Sequence, residues 1–204
     1  MRSVLLTLAL VVAACASGAD ADVDPGCEPG DLDCAVLVEA DLEEIFGEDV
    51  DVARQPTTQL GDGVDWCDTI VPSPVERFDQ GFAATSTVDG VTVAISSSVL
   101  RFDGADAELT MDVLAELRQG CSWTEGEVEF RFLDELDVAG FGDEAIGMLV
   151  RAAVSGAEDN AELVVVRQGE LLSLVGLFPA QASPVVWDAL GRRMEDRLLA
   201  VLEP

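Results

Sequence analysis

The spacing of apolar residues along the chain changes period several times, and each period predicts a different kind of element. In 39–49, apolar residues recur at helical spacing until Gly47, a natural stop, so this segment predicts a short helix. The segments 64–71, 81–88 and 91–99 contain β-branched and aromatic residues, and their apolar and polar positions alternate as is typical of strands. The first half of the chain therefore predicts one helix followed by three strands.

The third of these strands shows two different faces. Its apolar residues alternate with small polar ones, so we expect one face to be buried and the serine-rich face to be wet. The apolar face holds Val91, Val93, Ile95 and Val99. Asp89-Gly90 just before it is a strong hairpin signal, which predicts that 81–88 and 91–99 pair antiparallel.

Two longer helices are predicted in the second half of the chain. The first, over 105–120, should end at Gly120 and bury a stripe of Leu109, Val113, Leu114 and Leu117. The second should begin at Ser183-Pro184, because serine suits the N-cap and proline the first helical turn. Its sheet-facing stripe is predicted to be Val186, Leu190, Met194, Leu198 and Val201.

Four strands lie between these two helices. In 127–132 the aromatic residues alternate with charged ones, and 149–156 with 161–178 supplies three more strands, the last two joined through Gly169. Strands joined by short turns and interrupted by three helices predict an α+β fold. We expect a mainly antiparallel β-sheet with helices packed on one face, in a single domain over 35–204. The other face of such a sheet must be wet or must hold a ligand.

The N-terminus has the plan of an export signal. Arg2 precedes an uncharged stretch over 3–14, which is shorter than the roughly 20 residues that a membrane-spanning helix needs. Residues 12–15, V-A-A-C, resemble the lipobox of bacterial lipoproteins, in which the cysteine is lipidated and becomes the new N-terminus. This predicts a signal peptide at 1–14, lipidation of Cys15 and an acidic tether at 15–34. The alternative is an ordinary signal peptide, with Cys15 removed or left unmodified.

The charge of the chain excludes one class of partner. Forty acidic residues face eleven basic ones, giving a net charge of −29. Nucleic acid would be repelled, because its binding depends on cations that neutralise phosphates. Anionic lipid headgroups are repelled as well, so we expect membrane contact through the lipid anchor. The predicted location is the outer, extracytoplasmic face of the cell membrane.

Several catalytic residue types are missing from the sequence. The chain has no His, no Lys and no Tyr, so it cannot form a Ser-His-Asp or Cys-His arrangement, a Schiff-base lysine or a His-containing zinc site. We therefore predict no enzymatic activity, no cofactor and no metal. The remaining catalytic alternative is a hydrolase with two carboxylates about 5 to 10 Å apart across a cleft.

The cysteines suggest two disulfides. Besides Cys15, the chain has Cys27, Cys34, Cys67 and Cys121, an even number in an exported protein, and three pairings are possible. We favour Cys27 with Cys34, which closes a short loop in the tether. Cys67 with Cys121 would then tie the strand at 64–71 to the end of a helix. A metal site is a poor alternative, since no C-x-x-C pair is present.

A series of motifs follows the order of a known family. They are a helix ending in glycine, a cysteine strand followed by proline, a glycine-aromatic strand, a V-x-V-x-I strand, an F-D-x-A-D-A helix start and an L-x-x-x-C helix end. The residues are Leu42 to Gly47, Cys67 with Pro72, Gly81-Phe82, Val91 to Ile95, Phe102 to Ala107, and Leu117 to Cys121. With the late hairpin VVVRQGELLSLVGL, they resemble the PknH-like extracellular sensor domain of actinobacteria over about 39–202. The chain lacks the second cysteine pair that the family often carries in its C-terminal half.

The resemblance implies a non-catalytic, cleft-bearing domain that binds or senses an unidentified extracytoplasmic ligand. That ligand is a small molecule or an envelope protein, and the alternative function is an envelope scaffold that binds another protein through its surface. Candidate groove residues are Trp66, Trp123 and Arg151, because indoles and guanidinium groups beside a concave surface bind well. They also have structural interpretations: Trp66, beside Cys67, would pack against a disulfide, and Arg151 would pair with an acid.

Overall fold

A computed structural model describes residues 30–47, 49–55, 65–67, 69–87, 90–117, 121–125, 128–138, 140–154, 157–180 and 182–202. The predicted signal peptide, most of the predicted tether, Cys15 and Cys27 lie outside the described residues. The statements about them remain predictions.

Strands dominate the described part of the chain. They are β1 (Val50–Gln55), β2 (Asp65–Trp66), β3 (Thr69–Ile70), β4 (Glu76–Ser86), β5 (Thr92–Arg101), β6 (Ser122–Glu125), β7 (Val128–Leu136), β8 (Glu144–Val154), β9 (Ala157–Gln168) and β10 (Leu171–Phe178). The helices are a short 3-10 turn (Leu32–Cys34), α1 (Glu39–Phe46), α2 (Asp106–Ala115) and α3 (Pro184–Leu202).

Eight of these strands form one sheet in the order β1-β4-β5-β10-β9-β8-β7-β6, and every neighbouring pair is antiparallel. The small β2-β3 pair stands apart from it. The predicted hairpin β4-β5 is present, with Gly90 at φ 69° in its turn. The predicted α+β class with a mainly antiparallel sheet in one domain is confirmed.

The helices lie on both faces of the sheet. α1, α3 and the 3-10 turn pack in one core with Val164 and Val166 of β9, whereas α2 packs in a second core with Val165. Successive side chains of a strand point to opposite faces, so α2 must lie on the other side of the sheet from α3. This corrects the expectation that all helices pack on one face. The reason is that the central strand β9 is apolar on both sides and needs cover on both.

Local predictions differ in how well they match the structure. α3 has the predicted stripe, and Ser183 Oγ accepts a hydrogen bond from Val186 N at its first turn. The stripe of α2 is rotated: Leu109 is half exposed, while Met111 is fully buried. Strand β1 has no predicted counterpart, and the strand predicted at 64–71 is instead the short β2-β3 pair. β1 is mostly exposed, and β2 and β3 have only two residues each. These strands are defined by pairing with neighbouring strands, which the residue pattern of each segment does not show.

Candidate functional site

An open cavity of about 440 Å³ lies where the end of α2 meets the β7-β8 hairpin. Most of the residues that line it are apolar, but about half of the surface that they expose to it is polar. Five of them belong to or pack against the core beneath α2, whereas Val138 and Ala145 pack against the core under α3. The lining residues are Leu114, Ala115, Leu117, Phe132, Glu135, Leu136, Asp137, Val138, Ala145, Ile146, Gly147 and Met148. Glu135 and Asp137 are exposed and place two carboxylates at its edge.

The backbone explains why this cavity exists. The pairing of β7 with β8 shifts between Phe132 and Asp134, and such a bulge bends a strand and increases its twist. Gly147 of β8 has no side chain, so Leu136 and Val138 can pack directly against the backbone of β8. A Cβ at position 147 would lie 2.9 Å from Leu136 Cβ and from Val138 Cγ1. The end of β7 therefore packs closely on β8 at a place that α2, which ends at Ala115, does not cover. The side chains between them are left open to solvent.

A smaller depression of about 220 Å³ lies beside the disulfide of Cys67 and Cys121. The two Cα atoms are 5.4 Å apart, and the predicted pairing of these cysteines is confirmed. The bridge joins the turn between β2 and β3 to the residue before β6 across a sequence separation of 54. Cys34 is buried in the core under α3. Because Cys27 lies outside the described residues, the Cys27–Cys34 pair stays a prediction.

The structure does not bring the three candidate groove residues together. Trp123 is only 4% exposed and stacks on Phe130 with ring centroids 5.4 Å apart, so its indole is part of the core under α2. Trp66 belongs to β2, and its side chain lies outside what the structure describes. Arg151 is exposed on β8, on the face opposite α2, because its neighbours Val150 and Ala152 pack beneath α2.

Two sets of residues escaped the sequence reasoning. The cavity residues Ile146 and Met148 lie before the strand predicted at 149–156, and strand alternation does not show where a hairpin bends away from a helix. The alternation of aromatic and charged residues in 127–132 predicts that Arg131 faces outward. No signal in the sequence indicates that Arg131 lies directly opposite Arg151 in the sheet.

Among the residues that the structure describes, no three His, Cys, Asp or Glu side chains come close enough to form a metal site. In the same part of the chain, no helix combines the length and the apolar composition that crossing a membrane requires.

Comparisons with known proteins identify a related fold. No protein family matches the chain, and no curated protein matches it in sequence. The crystal structure of the extracellular domain of PknH from Mycobacterium tuberculosis matches with a TM-score of 0.52 and 10% identity, covering 87% of this chain and 99% of that one. An uncharacterized protein from Mycobacterium smegmatis, the Rv0999 ortholog, matches with a TM-score of 0.46 and 12% identity, covering 89% of this chain and 100% of that one. The predicted likeness to the PknH extracellular domain is thus confirmed at the level of the fold.

Proposed function

We propose that this chain is a non-catalytic binding or sensor-type domain, held on the outer face of the cell membrane by a lipid on Cys15, and that it binds a small apolar molecule in the cavity at the end of α2. The observation that carries the proposal is the cavity itself. Ligand pockets typically enclose about 300 to 1,000 Å³ and are lined mostly by apolar side chains with a few polar groups. The cavity at the end of α2 has this size, and most of its lining residues are apolar, with polar atoms making up about half of the surface that it exposes.

The lining favours a ligand with an apolar body. Leu114, Phe132 and Met148 are buried core side chains that also line the cavity, so a ligand there would extend the apolar contacts of this core. Glu135 and Asp137 at the edge can accept hydrogen bonds from a donor group at the ligand's solvent end. An anionic ligand is disfavoured in this cavity, because the two carboxylates at its edge would repel it.

The residue inventory supports a non-catalytic role. The sequence has no His, Lys or Tyr, so carboxylates would have to perform any acid–base step. Glu135 and Asp137 are exposed at the cavity edge, whereas a carboxylic acid that works as a proton donor usually sits in an apolar enclosure. The shared fold with an extracellular domain supports a position outside the cytoplasm.

Titration with the neutral apolar fluorophore N-phenyl-1-naphthylamine tests the cavity. We expect saturable binding with one site per chain, and binding at least tenfold weaker in Ala115→Trp, which places an indole in the cavity from an exposed helix position. Ala200→Trp is the matched control, because Ala200 is also exposed near a helix end but does not line the cavity. Circular dichroism checks that both variants fold.

The result that would refute this site is equal fluorophore binding by Ala115→Trp and the control, or no saturable binding by the unaltered domain. The ligand itself is sought by native mass spectrometry of domain purified gently from its own envelope. A co-purifying small molecule that is missing from Ala115→Trp supports the proposal. A co-purifying protein favours the scaffold function instead.

The anchor has a separate test. Cells that express the full chain are grown with labelled palmitate, and the label should be found on the unaltered protein but not on Cys15→Ala. Retention of the label by Cys15→Ala would show that Cys15 is not the lipidated residue.

A further inference from the structure

Four polar side chains form one continuous row across the strands at the far end of the sheet. Ser122 of β6 is opposite Arg131 of β7, Arg131 is opposite Arg151 of β8, and Arg151 is opposite Asn160 of β9. Residues directly opposite in an antiparallel pair have Cβ atoms about 4.5 to 5.5 Å apart. We call Ser122, Arg131, Arg151 and Asn160 the arginine row.

The whole row lies on the face of the sheet that carries α3. The sequence neighbours of its members pack in the core beneath α2, and strand side chains alternate, so the row must point the other way. These neighbours are Trp123, Phe130, Phe132, Val150, Ala152 and Ala161. Ser122, Arg131 and Arg151 are exposed, and Asn160 is half-buried.

Two arginines directly opposite each other are unexpected in this protein. Like charges in that position repel, and acidic residues outnumber arginines forty to eleven. Six other described arginines have a carboxylate within 3.3 Å: Arg77, Arg101, Arg167, Arg192, Arg193 and Arg197. Arg131 instead has Glu129 at 4.0 Å, with both side chains more than half exposed. Arg151 makes no ion pair with any described residue.

Among the described acids that flank the row, only Glu129 comes within 4.0 Å of one of its arginines. Glu129 and Glu158 lie on the same face, one residue pair further along the strands. Asp134 and Glu162 lie one pair away on the other side, both opposite Leu149. The exposed Asp134 accepts a hydrogen bond from Glu135 N at 3.0 Å. The carboxylate of Glu162 is buried and accepts hydrogen bonds from Trp187 Nε1 at 2.9 Å and Ala182 N at 3.2 Å. It is therefore held by the first turn of α3 and the residues before it. The row keeps two guanidinium groups, an amide and a hydroxyl as donors.

We propose that the arginine row is a binding site for an anionic group, a phosphate or a carboxylate, carried by a ligand that lies on the open face of β6-β9 beside α3. Guanidinium groups bind both anions through two parallel N–H bonds, and one anion between Arg131 and Arg151 would replace their repulsion with two attractions. This inference goes beyond the proposed function. No residue of the arginine row lines the cavity at the end of α2, so either site can fail while the other stands.

Thermal unfolding of the domain in increasing inorganic phosphate tests the site, with ionic strength held constant by chloride and a parallel titration with malonate. At tenfold the dissociation constant, a bound anion should raise Tm by about 3 to 6 °C. Arg151→Gln should abolish the rise and Arg131→Gln should reduce it. Arg54→Gln is the matched control, because Arg54 is exposed on the opposite edge strand and loses the same charge.

A second readout separates binding from a structural role. Without added anion, Arg151→Gln should unfold at the same temperature as the unaltered domain or slightly higher, because the substitution relieves the repulsion. A lower Tm in chloride alone would show that Arg151 stabilises the fold, which contradicts the proposal. The proposal is also overturned if neither anion gives a saturable rise, or if the rise persists in Arg151→Gln. A rise with one anion alone supports the site and identifies its chemical class.

Discussion

Removal of the Asp41 carboxylate should destabilise the contact between α1 and α3 more than removal of any exposed acid. Asp41 is 4% exposed and accepts hydrogen bonds from Arg197 Nε at 3.0 Å and Arg197 Nη2 at 3.1 Å, while Arg193 Nε lies 3.3 Å away. The same carboxylate accepts a bond from Val38 N at 2.9 Å, which caps the first turn of α1. One side chain thus caps a helix and joins it to another.

The cost can be worked from these contacts. Removing one partner of a buried ion pair typically costs about 3 to 5 kcal/mol, because the remaining charge loses its compensation. We take the lower end, about 3 kcal/mol, for Asp41→Ala, since Arg193 keeps Glu44 and is about one-third exposed. Asp41→Asn retains an acceptor for Val38 N, and a cap is worth about 1 kcal/mol, so it should cost about 2 kcal/mol.

Urea unfolding followed by tryptophan fluorescence measures these differences in the free energy of unfolding. Asp188→Ala is the control. The hydrogen bond between Asp188 and Arg192 raises the pKa of Arg192, but both side chains are exposed. We therefore expect the free energy of unfolding of this variant to equal that of the unaltered domain within error. The double variant Asp41→Ala with Arg197→Met should be more stable than Asp41→Ala alone, because it does not leave the mostly buried guanidinium of Arg197 without the Asp41 carboxylate. A loss below about 1 kcal/mol for Asp41→Ala, or no recovery in the double variant, would refute the reasoning.

Two further variants test packing and the covalent link. Gly191→Ala should cost about 2 kcal/mol in urea unfolding, because its Cβ would lie 2.7 Å from Phe141 Cζ in the core under α3. The double variant Gly191→Ala with Phe141→Leu should lose less free energy of unfolding than the sum of the losses in the two single variants. Fully additive losses would show that the ring and the new methyl group do not collide. Replacing both Cys67 and Cys121 with serine should lower stability by about 4 kcal/mol, since the bridge closes a loop with a sequence separation of 54. An unchanged midpoint in the serine variant would mean that the bridge does not constrain the unfolded chain.

Much of the secondary structure was predictable because it follows from local periodicity. The α3 stripe from Val186 to Val201 and the alternation of β7 match the structure, as does the stop of α1 at Gly47, whose φ is 91°. The predicted faces of β5 match only in part, because Val91 is exposed and Ser98 is buried. The predicted α2 stripe differs from the observed one because Leu109 and Met111 are both apolar and lie on different sides of the helix. The choice between them depends on how α2 sits over the sheet. Strand β1, with a polar and charged pattern, is defined by its pairing with β4.

By itself, the sequence determined the kinds of element and the chemistry available to the protein: a mixture of strands and helices, one cysteine bridge across a long loop, an excess of acids and no histidine or lysine. These properties depend on residue types and short spacings. The tertiary structure alone decided that α2 covers the face opposite α3, that a cavity opens at its end, and that Arg131 lies opposite Arg151. Each of these depends on strand order and register, which arise from contacts between residues far apart in the chain. Such contacts are selected by packing of the whole sheet rather than by any local pattern.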